Sequence, residues 1–585
     1  MSVFCPVINL DTGECRGEFA SHERAVHPSG LTVFFLGSLR GRPQGSPGLS
    51  DAAYVAEQLA DHGWDCVEKF NGAFLLGAYD ARDRRFRLFR DQLGQSQVIY
   101  TTLPERQLLI FGDSVKAVRA AMLANGGESL VDREVLAEYF RMGYVSCGNT
   151  VYQGIARVPA AHCAVIYPDG SGELRRYWHP HFNGGEKTSL DEAVEECRRL
   201  LKASIRRCLD TCPDADYMLS GGIDSGVVMG LASEFFPEGS RQAHTIAVAD
   251  GDYDESSLAA GTANRCGVPL QRLLLDAQSI DRLPALIANA GEPFADSSLL
   301  PTYLACAATG RPALFTGDGG DELFGGYRRY QAMLWRGRIP HWLDCFARPF
   351  AGAVSAMLPD GANSRCRMAT AKRALAALSK PYLEAYAGFQ AVATREQLQR
   401  LIPGCFWETP VDSWEMADGA TETAAGNANT LMRRCNNLDL AFYLPDDGFR
   451  KTAIAAAASG KKLLSPLLDL EVANFALGLP DNLRITTKCN KVVLRAIGRR
   501  YLDPRILSMR KRGFGIPIAQ WFRNALSGRI AELAGSIGKW DKYNLLDEKH
   551  ARQLAEEHRR GRRDHSALLW ALWCYWLWIE NEDRQ

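Results

Sequence analysis

The sequence has no excess of charge of either sign. Among its 585 residues, Lys and Arg together number 68 and Asp and Glu together number 68, so the formal net charge is +0. Without a net charge, no long-range field draws the protein towards nucleic acid or a membrane surface. A short basic run at residues 559–563 is explained by a solvated helix end. The composition therefore predicts neither nucleic acid nor a membrane as a partner.

The sequence also lacks the features of export and of membrane insertion. Its first residues have no basic flank followed by an apolar run, so they do not resemble a signal peptide. The most apolar stretch, residues 566–579, contains four tryptophans but is shorter than the ~20 residues that a membrane span needs. The 16 cysteines show no paired metal-ligand spacing. Together these absences predict a protein of the reducing cytoplasm.

The length exceeds what one hydrophobic core usually supports, so at least two domains are expected. Residues 1–182 alternate short apolar runs with polar turns and contain few helical signals, which predicts a β-rich α+β sandwich. A polar break at residues 183–187 marks the boundary. From residue 188 to 585, strands separated by helices predict a doubly wound parallel sheet. Beyond about residue 330 the pattern is helical almost throughout.

One stretch, residues 217–226, has the form of an apolar strand, a glycine turn and a helix. In Ser220-Gly221-Gly222-Ile223-Asp224-Ser225 the glycines let the backbone approach a ligand, and the serine hydroxyls lie beside the free N–H groups of the helix start. That arrangement favours phosphate. A carboxylate there repels phosphate unless a divalent cation lies between them, so Asp224 predicts bound Mg²⁺. The pattern is neither the Walker motif nor the G-x-G-x-x-G motif.

A second glycine-rich stretch follows the predicted strand 313–316. In Gly317-Asp318-Gly319-Gly320-Asp321-Glu322 three acidic residues alternate with glycines, which free the backbone to fold over a ligand. Because both turns follow parallel strands, they are expected at the same edge of the sheet. Asp321 is then placed to share one Mg²⁺ with Asp224.

Together these two motifs resemble those of the asparagine synthetase family, whose members are N-type ATP pyrophosphatases with an N-terminal glutaminase domain. The similarity extends along nearly the whole chain. It includes Asp254-Glu255, a stretch at 443–447, another at 465–469, the stretch Lys491-Val492-Val493-Leu494-Arg495 and residues 510–517. In the N-terminal region, residues 70–74, 90–94 and 176–178 are similar to the family's glutaminase domain. The resemblance implies an Ntn-hydrolase-like sandwich followed by an adenylating domain.

The resemblance further implies an ATP-dependent carbon–nitrogen ligase that needs Mg²⁺. ATP and a carboxylate form an acyl-adenylate, and an amine then displaces AMP. By this likeness ATP contacts Ser220, Gly221, Gly222, Asp224, Ser225, Gly317 and Gly319. Lys511 matches the lysine that stabilises the departing pyrophosphate, and its point charge suits that role. Asp318 stands where asparagine synthetases have glutamate and β-lactam synthetases tyrosine, so it is expected to orient or deprotonate the amine.

Two departures from the family pattern concern the substrate. Glutamine-hydrolysing members begin Met-Cys-Gly, and their cysteine becomes an N-terminal nucleophile, whereas this chain has Ser2. Cys5 has no free α-amine and is predicted to lie inside a strand. The N-terminal domain is therefore expected to be a scaffold without glutaminase activity. Where asparagine synthetases have an Asp-Arg pair, the chain has Ala453 and Ile454, which favours a larger or less polar substrate.

Loss of the cysteine is shared with two branches whose substrates supply their own amine, the β-lactam synthetases and the lasso-peptide cyclases. The chain length, Asp318 and the replacement of the Asp-Arg pair by Ala453 and Ile454 favour a lasso-peptide cyclase. Such an enzyme closes a macrolactam between a peptide N-terminus and an Asp or Glu side chain. The expected partners are a linear core peptide, a leader peptidase and a leader-binding protein. An asparagine synthetase using ammonia or glutamine, a β-lactam synthetase and a catalytically silent scaffold remain alternatives.

Overall fold

The computed structural model describes residues 4–16, 23–42, 49–146, 148–182, 188–249, 253–339, 341–358, 367–405, 431–509 and 515–583. Up to residue 182 its strands are β1 (Val7–Asn9), β2 (Cys15–Arg16), β3 (Arg24–Val26), β4 (Leu31–Leu39), β5 (Gly72–Asp80), β6 (Arg85–Arg90), β7 (Ile99–Leu103), β8 (Leu108–Gly112), β9 (Ala156–Arg157), β10 (His162–Ile166) and β11 (Gly172–Arg176). They form two antiparallel sheets of order β2-β1-β8-β7-β9 and β11-β10-β6-β5-β4-β3.

The two antiparallel sheets pack face to face through buried aromatic side chains. Phe111 from the first sheet meets Phe34 and Phe86 from the second, with ring centroids 5.9 and 5.3 Å apart. The outer faces are covered by helices, because alternate strand residues on those faces are also apolar. These helices and short 3₁₀ turns are Asp51–His62, Trp64–Lys69, Pro104–Arg106, Val115–Ala124 and Arg133–Met142. The β-rich sandwich predicted from the sequence is confirmed.

Two local predictions for this region differ from the structure. Cys5 was expected to lie inside a strand, but β1 begins at Val7, and Cys5 precedes it. Pro6, which has no N–H to donate to a sheet, accounts for the late start. Ser2 lies outside the described residues. Strand β7 was not expected, because the adjacent Thr101 and Thr102 interrupt the run of apolar residues by which strands were predicted.

The second region is built on a parallel sheet. Its strands are β12 (Ala215–Met218), β13 (Ala243–Val248), β14 (Leu270–Leu275), β15 (Ala313–Phe315) and β16 (Lys462–Leu464). Their order is β14-β13-β12-β15-β16, and every neighbouring pair is parallel. The helix Leu190–Thr211 precedes β12, and helices connect the first four strands, as predicted. The connecting helices are Ile223–Ser233, Ser256–Arg265, Leu283–Ala290 and Leu299–Ala308, with a 3₁₀ turn at Ala277–Arg282. The doubly wound parallel sheet is confirmed.

The rest of the chain is helical except for β16, which the sequence analysis missed within its helical half. The helices are Gly320–Phe324, Arg328–Arg336, His341–Met357, Arg367–Leu378, Tyr382–Gln390, Arg395–Leu401, Leu431–Leu438, Asp439–Gly448, Phe449–Ser459, Pro466–Leu468, Leu470–Gly478, Asp481–Arg484, Val492–Gly498, Pro504–Ser508, Ile518–Arg523, Ser527–Ala534, Ile537–Trp540, Glu548–Arg559 and Ser566–Glu582. Asp439–Gly448 is π-helical and contains Pro445. Within the described ranges, no helix combines the length and the apolar character that a bilayer crossing demands.

Buried charges join the N-terminal sandwich to the parallel-sheet region. Asp469, fully buried, accepts two hydrogen bonds from the Arg207 guanidinium, at 2.9 and 2.8 Å, and one from Asn71 Nδ2 at 2.9 Å. Glu292, also fully buried, pairs with Arg157 at 2.5 Å and with Arg450 at 2.6 Å. Removing one member of such a set leaves a buried charge without its partner, which typically costs about 3–5 kcal/mol. These contacts therefore fix the sandwich against the parallel-sheet region.

Candidate active site

The Ser220–Ser225 turn connects β12 to the helix Ile223–Ser233 at the carboxyl edge of the sheet. Gly221 has a φ of +76°, a left-handed conformation that favours glycine, and a Cβ there would lie 2.8 Å from the carbonyl oxygen of Glu255. The Ser220 backbone N–H donates to Ser225 Oγ at 3.2 Å, and the two serine hydroxyls lie 3.0 Å apart. The turn thus presents two hydroxyls beside the helix N-terminus, a suitable environment for an anion.

The second glycine-rich turn packs directly against the first. A Cβ on Gly317 would lie 2.5 Å from the Ser225 backbone nitrogen, and one on Gly320 would overlap the Asp224 carboxyl group. Glycine at both positions is therefore required for the two turns to meet. This meeting was predicted from the parallel arrangement of the two preceding strands, and the parallel pairing of β12 with β15 accounts for it.

A cavity of about 500 Å³ opens above the two turns. Its lining includes every site residue predicted from the sequence except one: Ser220, Gly221, Gly222, Asp224, Ser225, Gly317, Asp318, Gly319 and Asp321. The exception is Lys511, which lies outside the described residues. The roles given to these residues stay predictions, but the structure brings the described ones to one place.

Lys491 lies between the two carboxylates that were predicted to share a metal ion. Its ammonium group contacts Asp224 Oδ2 and lies 2.7 Å from Asp321 Oδ1. Burial alone would lower the pKa of Lys491, but the two carboxylates outweigh it and raise the pKa. The Lys491 side chain is only 4% exposed, so its ammonium group interacts with these two carboxylates rather than with solvent. Lys491 was noted in a motif but not predicted as a site residue.

The arrangement fits a divalent cation. Asp224 and Asp321 both reach one nitrogen atom, so they lie close enough to share a single positive ion. Among the described residues, no cluster of three or more His, Cys, Asp or Glu side chains is disposed to hold a metal. Mg²⁺ commonly uses one or two carboxylates and completes its shell with phosphate oxygens and water. The donor set present is of that kind.

Asp318 is oriented by a chain of hydroxyl groups. Its Oδ2 accepts a hydrogen bond from Thr316 Oγ1 at 2.8 Å. The Thr316 hydroxyl lies 2.7 Å from Ser465 Oγ, so Ser465 donates to Thr316 when Thr316 donates to Asp318. Ser465 follows β16, the strand that the sequence analysis missed. One carboxylate oxygen of Asp318 is thus fixed at the cavity wall.

Further charged groups surround Asp318 and were not predicted. Lys451 lines the cavity, with its ammonium group 3.9 Å from Asp296 Oδ2. Burial lowers the pKa of Lys451, but Asp296, Asp318 and Asp447 outweigh this and raise it. Burial, and then repulsion by Asp296, raise the pKa of Asp447 well above its usual value. This wall of the cavity therefore carries a buried, protonated lysine, and behind it lies the buried Asp447 carboxyl group, which resists ionisation.

The two residues that depart from the family pattern lie apart from this wall. Ile454 is 6% exposed and belongs to the hydrophobic core, and Ala453 is half-buried. Their helix contributes Lys451 and Thr452 to the cavity lining instead. A change of substrate caused by Ala453 and Ile454 would therefore act through the packing of this helix rather than through direct contact with the cavity.

The N-terminal region has no reactive thiol at Cys5. Burial, and to a smaller extent the nearby Asp113 carboxylate, raise the pKa of Cys5 to about 12, so the thiolate is scarce at neutral pH. Asn71, in one of the stretches similar to glutaminase domains, is engaged elsewhere: it donates to Asp469, and its Oδ1 accepts from Leu470 N–H at 3.0 Å. These contacts fit a structural role for the domain.

Comparisons with known proteins agree with this organisation. A family model described as asparagine synthase matches residues 196–580, and one described as glutamine amidotransferase domain matches residues 39–178. The chain is 23% identical over 538 residues to asparagine synthetase (glutamine-hydrolyzing) 1 of Bacillus subtilis (strain 168), covering 90% of this chain and 80% of that protein. It is 26% identical over 534 residues to a putative asparagine synthetase (glutamine-hydrolyzing) of Mycobacterium bovis (strain ATCC BAA-935 / AF2122/97), covering 88% and 78%.

Among solved structures, a glutamine-dependent NAD+ synthetase from Acinetobacter baumannii in complex with ADP matches with 14% identity and a TM-score of 0.18. The match covers 37% of this chain and 48% of that one, and a similarity this low supports no inference. The asparagine synthase model, in contrast, spans well over half of the chain and includes both glycine-rich turns. The chain therefore belongs to the asparagine synthase family, a family of ATP-dependent ligases.

Proposed function

We propose that this enzyme activates a carboxylate with ATP and Mg²⁺ and then forms an amide. The observation that carries the proposal is that the carboxylates of Asp224 and Asp321 both contact the Lys491 ammonium group, beside the Ser220–Ser225 turn. The substrate carboxylate attacks the α-phosphorus of ATP and releases pyrophosphate. An amine then attacks the acyl carbon, loses a proton, and AMP leaves. The bound Mg²⁺ would be held by Asp224 and Asp321 and would neutralise phosphate charge.

The residues of the cavity have separate parts in this scheme. The hydroxyls of Ser220 and Ser225 and the helix N-terminus hold phosphate oxygens. Lys491, once the carboxylates have another cation to bind, supplies positive charge to the departing pyrophosphate, alongside Lys511 as predicted from the sequence. Asp318 accepts the proton of the attacking amine, because its carboxylate is fixed by Thr316 at the cavity wall.

The amine comes from the substrate rather than from glutamine. The raised pKa of Cys5 and the structural contacts of Asn71 support a sandwich without glutaminase activity. We therefore propose macrolactam closure of a ribosomal lasso peptide, between its N-terminal amine and an Asp or Glu side chain. A leader peptidase would expose that amine, and a leader-binding protein would deliver the precursor.

The activation step is tested by ATP–pyrophosphate exchange with wild type and Asp224→Asn. Exchange that requires Mg²⁺ and a carboxylate substrate, and that Asp224→Asn abolishes, is the expected result. Absence of exchange with every carboxylate class tried, in a protein that is shown to be folded, would contradict it.

The branch is tested by incubating the enzyme with ATP, Mg²⁺ and linear peptides that carry a free N-terminal amine and one internal Asp or Glu. Mass spectrometry should show a product lighter by one water, together with AMP and pyrophosphate. Peptides with an acetylated N-terminus are the matched control and should not cyclise. Free asparagine formed from aspartate would support the second candidate, an asparagine synthetase, which the names of the relatives favour.

A further inference from the structure

The helix His341–Met357 exposes apolar side chains and buries polar ones, the opposite of an ordinary surface helix. Leu343, Phe346, Phe350 and Met357, spaced by three, four and seven residues, lie on one face and are 44, 78, 74 and 85% exposed. Asp344 and Ser355, in contrast, are buried. Large apolar side chains therefore face solvent while a carboxylate faces the protein.

Ion pairs hold the helix in this orientation. The Asp344 carboxylate lies 3.1 Å from the Arg336 guanidinium, which is itself buried, and 2.7 Å from that of Arg348. Ser355 Oγ donates to the Lys372 carbonyl of the adjacent helix Arg367–Leu378 at 3.2 Å. Rolling the helix to bury its phenylalanines would separate the Asp344 carboxylate from the buried Arg336 guanidinium, which would keep only its hydrogen bonds to the Ala377 and Lys380 carbonyls. The apolar face is thus a stable feature of the fold.

Further apolar side chains are exposed on the neighbouring helices. Two phenylalanines exposed by three quarters present on the order of 300 Å² between them. Trp335, in the last turn of the helix Arg328–Arg336, is 58% exposed, and Met368 on the helix Arg367–Leu378 is 52% exposed. Exposed apolar side chains in this number on neighbouring helices indicate an interaction site.

The charge of this element differs sharply from that of the whole chain. Residues 328–380 contain ten Lys or Arg and two acids, Asp344 and Asp360, although the complete sequence is neutral. Three of the arginines are paired with acids, Arg329 with Asp439 and Arg336 and Arg348 with Asp344, and the others leave the segment basic. Arg338, whose guanidinium lies 5.8 Å from the centre of the Trp335 ring, is exposed, and so is Arg373 on the helix Arg367–Leu378. An apolar face with basic side chains near it complements a surface in which negatively charged groups cover an apolar layer.

We propose that this face, formed by the helices His341–Met357 and Arg367–Leu378 together with Trp335, docks the enzyme on an anionic lipid bilayer. Phe346, Phe350 and Met357 are 78, 74 and 85% exposed, which suits insertion at the boundary between headgroups and acyl chains. A partner helix would instead be received by a groove. The basic side chains contact the lipid phosphates, and the cavity lies at the other end of the helix Arg328–Arg336, whose first residue lines it.

The test is co-sedimentation of the full-length enzyme with vesicles of phosphatidylcholine alone or mixed with phosphatidylserine. Wild type should bind the mixed vesicles and bind phosphatidylcholine only weakly. The double variant Phe346→Ser/Phe350→Ser should lose about tenfold in affinity for each side chain. Arg338→Gln/Arg373→Gln should lose about fivefold for each charge, and raised salt should have the same effect.

The matched control is Val26→Ser/Leu274→Ser, which removes two apolar side chains exposed by 65 and 66% in other parts of the chain. This control should bind vesicles as wild type does, and circular dichroism should show all variants folded. Failure of wild type to bind phosphatidylserine vesicles would overturn the proposal, as would unchanged binding by the phenylalanine variant. A dimer in solution that the phenylalanine variant abolishes, without vesicle binding, would assign the face to a second copy instead.

Discussion

Lys491→Met is expected to destabilise the protein at the point where its proposed catalytic site is assembled. Methionine is similar in length to lysine but carries no charge, so the variant leaves Asp224 and Asp321 facing each other without the ammonium group between them. The side chains of the two acids are only 15 and 16% exposed, so water compensates for little of the loss. Repulsion between the two carboxylates adds to the cost.

The magnitude follows from the burial of the group. Breaking a buried ion pair by removing one partner costs about 3–5 kcal/mol, and the partial exposure of both acids places this case near 3 kcal/mol. The deficit should shrink at acidic pH, because protonation of the two carboxyl groups removes their repulsion. Added Mg²⁺ should also reduce the deficit, since the variant offers two carboxylates to a metal ion with no competing ammonium group.

Urea unfolding at pH 7, with and without Mg²⁺, measures both effects. Lys488→Met, at an exposed lysine three residues earlier, is the matched control and should lie within ±0.5 kcal/mol of wild type. If Lys491→Met proved as stable as this control, the ion-pair network would not have the energetic role argued from its burial. A deficit that Mg²⁺ leaves unchanged would refute the shared metal site while leaving the ion pairs intact.

Three further changes test other parts of the molecule. Burial raises the pKa of Glu138 to about 7, so its ionisation opposes folding increasingly between pH 4.5 and 7; Glu138→Gln should stabilise the protein by up to about 3 kcal/mol at pH 8 and have little effect at pH 4, as measured by urea unfolding. Asp469→Ala should cost about 3–5 kcal/mol, whereas Glu471→Ala, removing an exposed partner of Arg207, should cost less than about 1 kcal/mol in the same assay. Gly320→Ala forces its Cβ into Asp224 and should abolish ATP–pyrophosphate exchange, while Gly404→Ala, on open surface but at positive φ, should lower only stability.

Much of the fold was predictable because its signals are local. Strands such as β13 and helices such as Ser256–Arg265 follow from short apolar runs and helical spacing, and the two glycine turns follow from residues that only a close approach requires. The short strand β16 had no such signal: three residues, Lys462–Leu464, lie within a helical context and become a strand only by pairing with β15. Its position matters, because Ser465 follows it and supports Asp318.

The buried cations of the site were harder to predict than its carboxylates. Acids between glycines are unusual enough to be noticed, whereas a lysine in a helical region is most often solvated. Lys491 reaches Asp224 and Asp321 across more than 150 residues of chain, and Lys451 reaches Asp296 across a similar distance. Only the packing of Val492–Gly498 and Phe449–Ser459 against the sheet region makes these side chains part of the site.

The N-terminal sandwich supports the wall of the site through contacts with the segment that follows β16. Asn71 and Gln95 contact the segment after β16, through Asp469 and the Leu468 carbonyl. Leu468 in turn packs so closely on Gly319 that a Cβ there would overlap it. Because this segment also carries Ser465, which supports Thr316 and Asp318, the sandwich holds the wall on which the glycine-rich turn rests. Loss of glutamine hydrolysis would remove the chemistry of the domain but not this support, so selection for the ligase reaction alone would preserve it.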